Sequence, residues 1–184
     1  MAIQSHPGAI RFLLPLVAAL IAAMAVGGQT STVKYSVGTP ERFPASRITW
    51  RDTFGYIKNG HRDVVYCFMT QGSFRAPTSP DLGKLSRDWL DSHPKAEAVL
   101  VYTLQPISTN DPNSQMKSMW IVDGQENLNL YLVRKGACPA GTMVLEPGDE
   151  TPLTKEEYEA FEKKVWEAEK TATAEKLGIW AQKP

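Results

Sequence analysis

Two hydrophobic periods alternate along residues 47–180, and their order limits the fold more than any other feature. Thr53–Ile57 and Val64–Phe68 are β-branched and aromatic runs, separated by Asn59-Gly60, a pair that tolerates the positive φ of a tight hairpin. Residues 71–80 hold Gly, Ser and Pro and read as a loop. Leu82, Leu85, Trp89 and Leu90 then recur at helical spacing over 81–92, with Ser79 or Asp81 as the cap and His93-Pro94 as the stop. Residues 96–104 (AEAVLVYTL) are nearly unbroken in apolar character and read as a buried strand. Residues 106–115 read as a polar loop and 116–122 as the next strand. A short helix over 128–135 stops at Gly136, a natural left-handed cap. A last strand is expected at 141–144 and an acidic loop at 145–152. Thr154 and Glu157 form a capping box for a long helix whose apolar face is Tyr158, Phe161, Val165, Ala168 and Ala172, ended by Gly178. Strands, helix, strands, helix, long helix make an α+β domain.

The N-terminus belongs to a different regime. Arg11 precedes an uncharged apolar run, Phe12 to Val26, followed by Gly27 and Gly28. A charged start, an apolar stretch and a small-residue exit make a secretory signal, with Ala23-Met24-Ala25 as a cleavage option. The 17 residues from Phe12 to Gly28 also sit at the lower edge of a bilayer span. A cleaved signal and an uncleaved N-terminal transmembrane anchor over 1–28 both stay open. Both place the rest of the chain outside the cytoplasm, because Arg11 stays inside. Residues 29–46 are rich in Thr, Ser, Gly and Pro and read as a linker, with a short strand at Val33–Val37. The domain proper is expected over 47–184.

Charge narrows the partner classes. The chain of 184 residues has 20 Lys plus Arg against 20 Asp plus Glu, so its net charge is zero. Phosphate neutralisation dominates affinity for nucleic acid and needs a basic surface, so the balance argues against a nucleic-acid partner. His6, His61 and His93 have no ligand spacing and read as surface residues. Cys67 and Cys138 are the only cysteines, and in an exported chain an even pair reads as one disulfide. Two buried thiols are the alternative. Trp166 departs from the apolar face of the long helix and is either a partner contact or a packing residue.

The motifs of the last third carry a resemblance. Val122-Asp123-Gly124, Leu128-Asn129 and Leu132-Val133-Arg134-Lys135-Gly136 are similar to the staphylococcal-nuclease-like (thermonuclease) family. There a turn leads to an Asn-bearing helix ending in L-V-R-x-G. The segment from Ala168 to Trp180 resembles that family's closing helix. The resemblance covers about 135 residues, from Arg47 to Trp180. It implies an OB-fold-type five-stranded β-barrel with about three helices, preceded here by the signal or anchor helix. It also implies that Cys67 and the segment from Cys138 lie on neighbouring strands. A bridge between them closes about 70 residues, worth roughly 3–4 kcal/mol.

Active members of that family are calcium-dependent nucleases. Their site needs carboxylates for the ion and the attacking water, and two guanidiniums for the developing phosphorane charge. Arg51-Asp52-Thr53 falls on the family's G-D-T, so Asp52 keeps one metal-ligand position. In the same register Tyr66 takes the first catalytic Arg position, Gln71 a metal Asp and Phe74 the catalytic Glu. The second Arg falls near Gln115 or Lys117. Arg75, Lys117 and Asp81 are the spare groups that a rebuilt site would use. No Arg and no carboxylate lies between Val64 and Gly72, so sliding the register does not restore the set. The resemblance therefore implies the family's scaffold without its enzyme, and no cofactor; calcium enters only if the chain is a divergent secreted nuclease. The expected role is a binding or assembly module in the cell envelope. Its partner would be an envelope protein, peptide or glycan, with the membrane engaged through 12–28 if the leader is uncleaved. Divergent metal-dependent nuclease and non-cleaving nucleic-acid binder are the alternatives.

Overall fold

A computed structural model of the chain describes residues 32–51, 54–59, 62–68, 78–108, 111–141 and 144–181, with side chains described for 32–50, 78–102, 117–141 and 144–181. The signal or anchor segment, Asp52, Gln71, Phe74 and Arg75 lie outside the described residues. The compact unit runs from Thr32 to Pro184. It is α+β, with strands β1 (Arg42–Pro44), β2 (Thr49–Arg51), β3 (Phe54–Asn59), β4 (Arg62–Phe68), β5 (Glu97–Ser108), β6 (Asp111–Asp123) and β7 (Glu126–Asn127). Helix α1 (Leu82–Ser92) separates β4 from β5, and α2 (Leu128–Arg134) and α3 (Lys155–Ala174) follow β7.

One sheet runs in the order β1-β5-β6-β4-β3-β2, with β7 paired to β6. All neighbours are antiparallel except β4 and β6, which are parallel and pair Val64 with Gln115 and Tyr66 with Lys117. Seven strands replace the expected five. One of the two extra strands arises because the segment 42–51 is broken by a 3₁₀ turn at Ala45–Arg47, so its first piece pairs with β5 and its second with β3; the other is the two-residue β7. The hydrogen-bonded path itself is open.

Residues 106–108 and 111–115, expected as a loop, are the outer ends of strands β5 and β6. Pro106 pairs with Gln115 and Ser108 with Asp111, with register shifts on both sides of Pro106. A bulge accommodates proline, which donates no ladder bond. No strand forms at the described residues of 141–144. The expected linker is structured from Thr32: β1 belongs to the sheet, and Lys34 forms a parallel bridge with Glu150.

The core gathers the apolar faces anticipated from periodicity. Leu82 and Trp89 of α1, Ala98, Val99 and Val101 of β5, Met119 and Ile121 of β6, Leu128, Leu132 and Val133 of α2, and Phe161, Val165 and Ala168 of α3 are buried together. The α3 capping box forms as expected, with Thr154 Oγ1 accepting from the Glu157 amide and Glu157 accepting from the Thr154 amide. Asp81 occupies the N-cap of α1 without a side-chain cap bond, and Ser79 Oγ accepts from its amide at 3.2 Å.

Two motifs of the last third tie the helices to the sheet. Asn129 is fully buried; its Oδ1 accepts from the Ile121 amide at 3.0 Å, and its Nδ2 donates to the Met119 carbonyl at 2.9 Å. The α2 helix thus satisfies β6 backbone groups with one amide side chain. Gly136 (φ +65°) ends α2 in the left-handed region and lies against Gly178 (φ +50°). A Cβ on Gly136 would sit 2.2 Å from the Leu177 carbonyl oxygen, and one on Gly178 would sit 2.1 Å from the Gly136 oxygen. The Ile179 amide donates to that same Gly136 oxygen at 2.9 Å. Only two residues without side chains let the chain end close on the α2 cap.

Candidate functional site

A cleft of about 490 Å³ opens where the N-terminal segment, β5, β6 and the segment before α3 meet. That volume suits a small ligand or a few residues of a larger one. Leu100 and Tyr102 of β5 and Lys117 of β6 line it on the sheet side. Val37, Thr39 and Glu41 form one wall, and 148–152 form the other. The second wall is pinned to the sheet: Thr151 Oγ1 donates to the Val101 carbonyl at 2.7 Å and accepts from the Leu153 amide at 3.2 Å.

Every charged group described at this cleft has a partner of opposite sign or a hydrogen bond. Lys117 is mostly buried, and its Nζ lies 3.5 Å from Glu41 Oε2. Glu150 Oε1 accepts from Lys34 Nζ at 2.7 Å. Asp149 Oδ2 accepts from the Glu146 amide at 2.7 Å, and the Asp149 carboxylate also accepts from the Tyr102 hydroxyl. Burial pushes Tyr102 up from 10.0 to about 12, helped by that hydrogen bond and by the charges of Asp149 and Glu146. Tyr102 is therefore a neutral donor at the cleft floor. The lining residues bring three carboxylates, Glu41, Asp149 and Glu150, against one amine, Lys117.

The residues singled out from sequence are distributed unevenly. Lys117 reaches the cleft. Its Cα partner across the parallel ladder is Tyr66, the position that the resemblance assigns to the first guanidinium, whereas Gln115, the other position offered for the second, pairs with Val64. Cys67 pairs in register with Phe54 and with Ser118, whose hydroxyl is buried without a partner among the described residues. Cys138 is fully buried after α2. Asp81 is exposed at the start of α1, away from the residues that line the cleft. His93 is half-buried, and its ring stacks on Trp89 at 3.9 Å while its Nδ1 lies 2.8 Å from the Trp89 carbonyl. Trp166 is 48 % exposed. Among the described residues no cluster of His, Cys, Asp and Glu is arranged to hold a metal, and no helix is long and apolar enough to cross a membrane.

Sequence reasoning missed Glu41, Tyr102 and Asp149. Tyr102 carried a signal, since a tyrosine inside an apolar strand needs a partner for its hydroxyl. Glu41 and Asp149 sit in segments without periodicity, where nothing in the sequence distinguishes them from solvated charges. Compared with known proteins, the chain matches no protein-family model, and no curated protein matches it either.

Proposed function

We propose that this chain is an exported or membrane-anchored domain of the staphylococcal-nuclease-like kind that binds rather than cuts. Its role is a binding or assembly module of the cell envelope. Topology supports the scaffold half of this reading. β1 and β2, the ends of the sheet path, are consecutive pieces of one segment, 42–51. Counting that segment as a single broken strand leaves five strands along the path, with β7 beside β6, β4 and β6 parallel and α1 between β4 and β5, an order that an OB-type barrel would use.

The observation that carries the functional half is the Glu41–Lys117 pair in a carboxylate-rich cleft. Where the family places two guanidiniums to meet phosphate, this chain has Tyr66 and, beside it, a lysine held by a glutamate. With Lys34 held on Glu150 and Lys117 on Glu41, the cleft has no basic surplus for a polyanion, whose binding depends on releasing counterions to basic groups. Calcium does not fit the donor set either. Asp52 is the one carboxylate among Asp52, Tyr66, Gln71 and Phe74, and the ion takes about six to eight oxygens with several carboxylates. The cleft instead offers a buried phenol, an ion pair and mostly polar walls, which suit the polar groups of a peptide or glycan.

Site-specific photo-crosslinking in intact cells tests the reading. A photoreactive residue at Thr39, in the cleft wall, is expected to capture one discrete envelope partner. The same residue at Asp91, on the exposed face of α1, captures none. Equal capture at both positions, or none at Thr39, contradicts a binding role for the cleft.

A further inference from the structure

A second cavity, of about 370 Å³, lies between the 3₁₀ turn at Ala45–Arg47 and the C-terminal end of α1. Its size suits a small ligand. Main-chain bonds fix its frame. The Ala45 amide donates to the Ala96 carbonyl at 2.8 Å, and the Ala96 amide donates to the His93 carbonyl at 3.0 Å. Ile48, Leu90 and Ala96 supply apolar lining, and Arg87, Asp91 and His93 bring the polar groups.

Two opposite charges at this cavity are left open. Arg87 and Asp91 stand one helical turn apart, on the same face of α1 as Leu90. Basic-to-acidic pairs of that spacing and direction close elsewhere in the molecule. Lys84 Nζ meets Asp88 at 2.5 Å on α1 itself, and Lys155 Nζ meets Glu159 at 3.6 Å on α3. Arg87 and Asp91 form no ion pair with each other or with any other described residue. His93, the C-cap residue of α1, is held beside them. Its ring stacks on buried Trp89 with an angle of 11° between the planes. Its Nδ1 faces the Trp89 carbonyl, which only accepts, so Nδ1 carries a proton. In the neutral ring Nε2 is then a bare acceptor, and it has no partner among the described residues.

We infer that this cavity binds a free α-amino acid with an aliphatic side chain. One donor fork and two acceptors match the ligand's two charged groups. Arg87 takes the carboxylate through its planar guanidinium, while Asp91 and His93 Nε2 accept from the ammonium. The side chain lies against Ile48, Leu90 and Ala96. A ligand with a single charge leaves either Arg87 or Asp91 unmatched. Positions one turn apart on a helix are separated by about 5–6 Å at Cβ, so the ligand's charges must sit close together, as on one Cα and not as at the two ends of an extended peptide. The ligand is a small molecule rather than a protein, so Asp91 is still expected to capture no envelope partner. The inference is independent of the nuclease-like resemblance and of the first cleft.

Calorimetric titration of the full-length protein with L-leucine tests it. The expected result is saturable binding of one leucine per chain. Isocaproate is leucine without its ammonium, and isoamylamine is leucine without its carboxylate. Each is expected to bind at least about tenfold more weakly than leucine, as is leucine itself to Arg87→Gln and to Asp91→Asn. Arg87 and Asp91 are exposed, so both variants keep the fold, which unchanged thermal melts check. Lys84→Gln removes the same charge from the same helix outside the cavity and is expected to leave leucine binding unchanged. Four results overturn the inference: no saturable binding, either analogue binding as tightly as leucine, leucine binding that survives Arg87→Gln or Asp91→Asn, or an equal loss in Lys84→Gln.

Discussion

The Gly136–Gly178 junction and the N-terminal wall of the cleft are both places where one segment closes on another, and they are built in opposite ways. At the junction, two backbones touch with no room for a side chain, beside fully buried Asn129, Leu132 and Val133. At the wall, exposed residues 36–39 and exposed ion pairs rest on main-chain bonds. The motif residues that carry the family resemblance, Asn129, Gly136 and Gly178, all belong to the first kind of contact. They specify how helices lock to the sheet, and they say nothing about chemistry. The groups proposed to decide what the domain binds lie at the second kind, outside those motifs. A fold likeness and a function likeness therefore rest on separate residues in this molecule.

The contrast predicts unequal costs. Gly136→Ala or Gly178→Ala forces a Cβ into backbone and strains a positive φ, so either is expected to destabilise the domain by about 3 kcal/mol or more in urea unfolding. A loss under about 1 kcal/mol breaks the idea of a rigid junction. Asn129→Ala leaves the Ile121 amide and the Met119 carbonyl buried without partners, with an expected loss of about 2–4 kcal/mol. The loss should not be recovered by Asn129→Asp, which has no amide to donate to the carbonyl at neutral pH.

At the cleft the effects are smaller and tied to conditions. Tyr102 has a folded-state value of about 12 against 10.0 for the free group. Its protonated form is favoured by folding, so its contribution is complete below pH 10 and fades as pH rises toward 12. Tyr102→Phe is expected to flatten that alkaline decline in thermal melts; an unchanged decline removes Tyr102 from the account. Glu150→Gln breaks an exposed pair and is expected to cost less than about 1 kcal/mol, with an effect that vanishes in high salt. A larger loss means that the wall is as rigid as the junction.

The sequence was most informative where side-chain periodicity reports burial. Leu82 and Trp89, the buried strand around Val99 and Val101, the Thr154–Glu157 box and the Gly136 cap were all readable. Each is a local rule expressed within a few residues. The arms of the β5–β6 hairpin were not readable, because Asp111 to Gln115 are polar and a bulged ladder at Pro106 needs no apolar alternation. The N-terminal wall was legible only as a linker with a short strand at Val33–Val37, and its place against 149–153 was not, for a related reason. Its bonds are main-chain to main-chain, and main-chain groups leave no mark on residue type. The cleft pairs join Glu41 with Lys117 and Tyr102 with Asp149 across long stretches of chain, so only folding brings them together.

The central claim is that the scaffold of a nuclease-like domain here serves binding without cleavage. Incubating the purified full-length protein with single-stranded DNA and Ca²⁺ tests it most directly. The account predicts no cleavage above the buffer control, and none gained by replacing Ca²⁺ with Mg²⁺. Calcium-dependent cleavage that disappears in Asp52→Ala would contradict it.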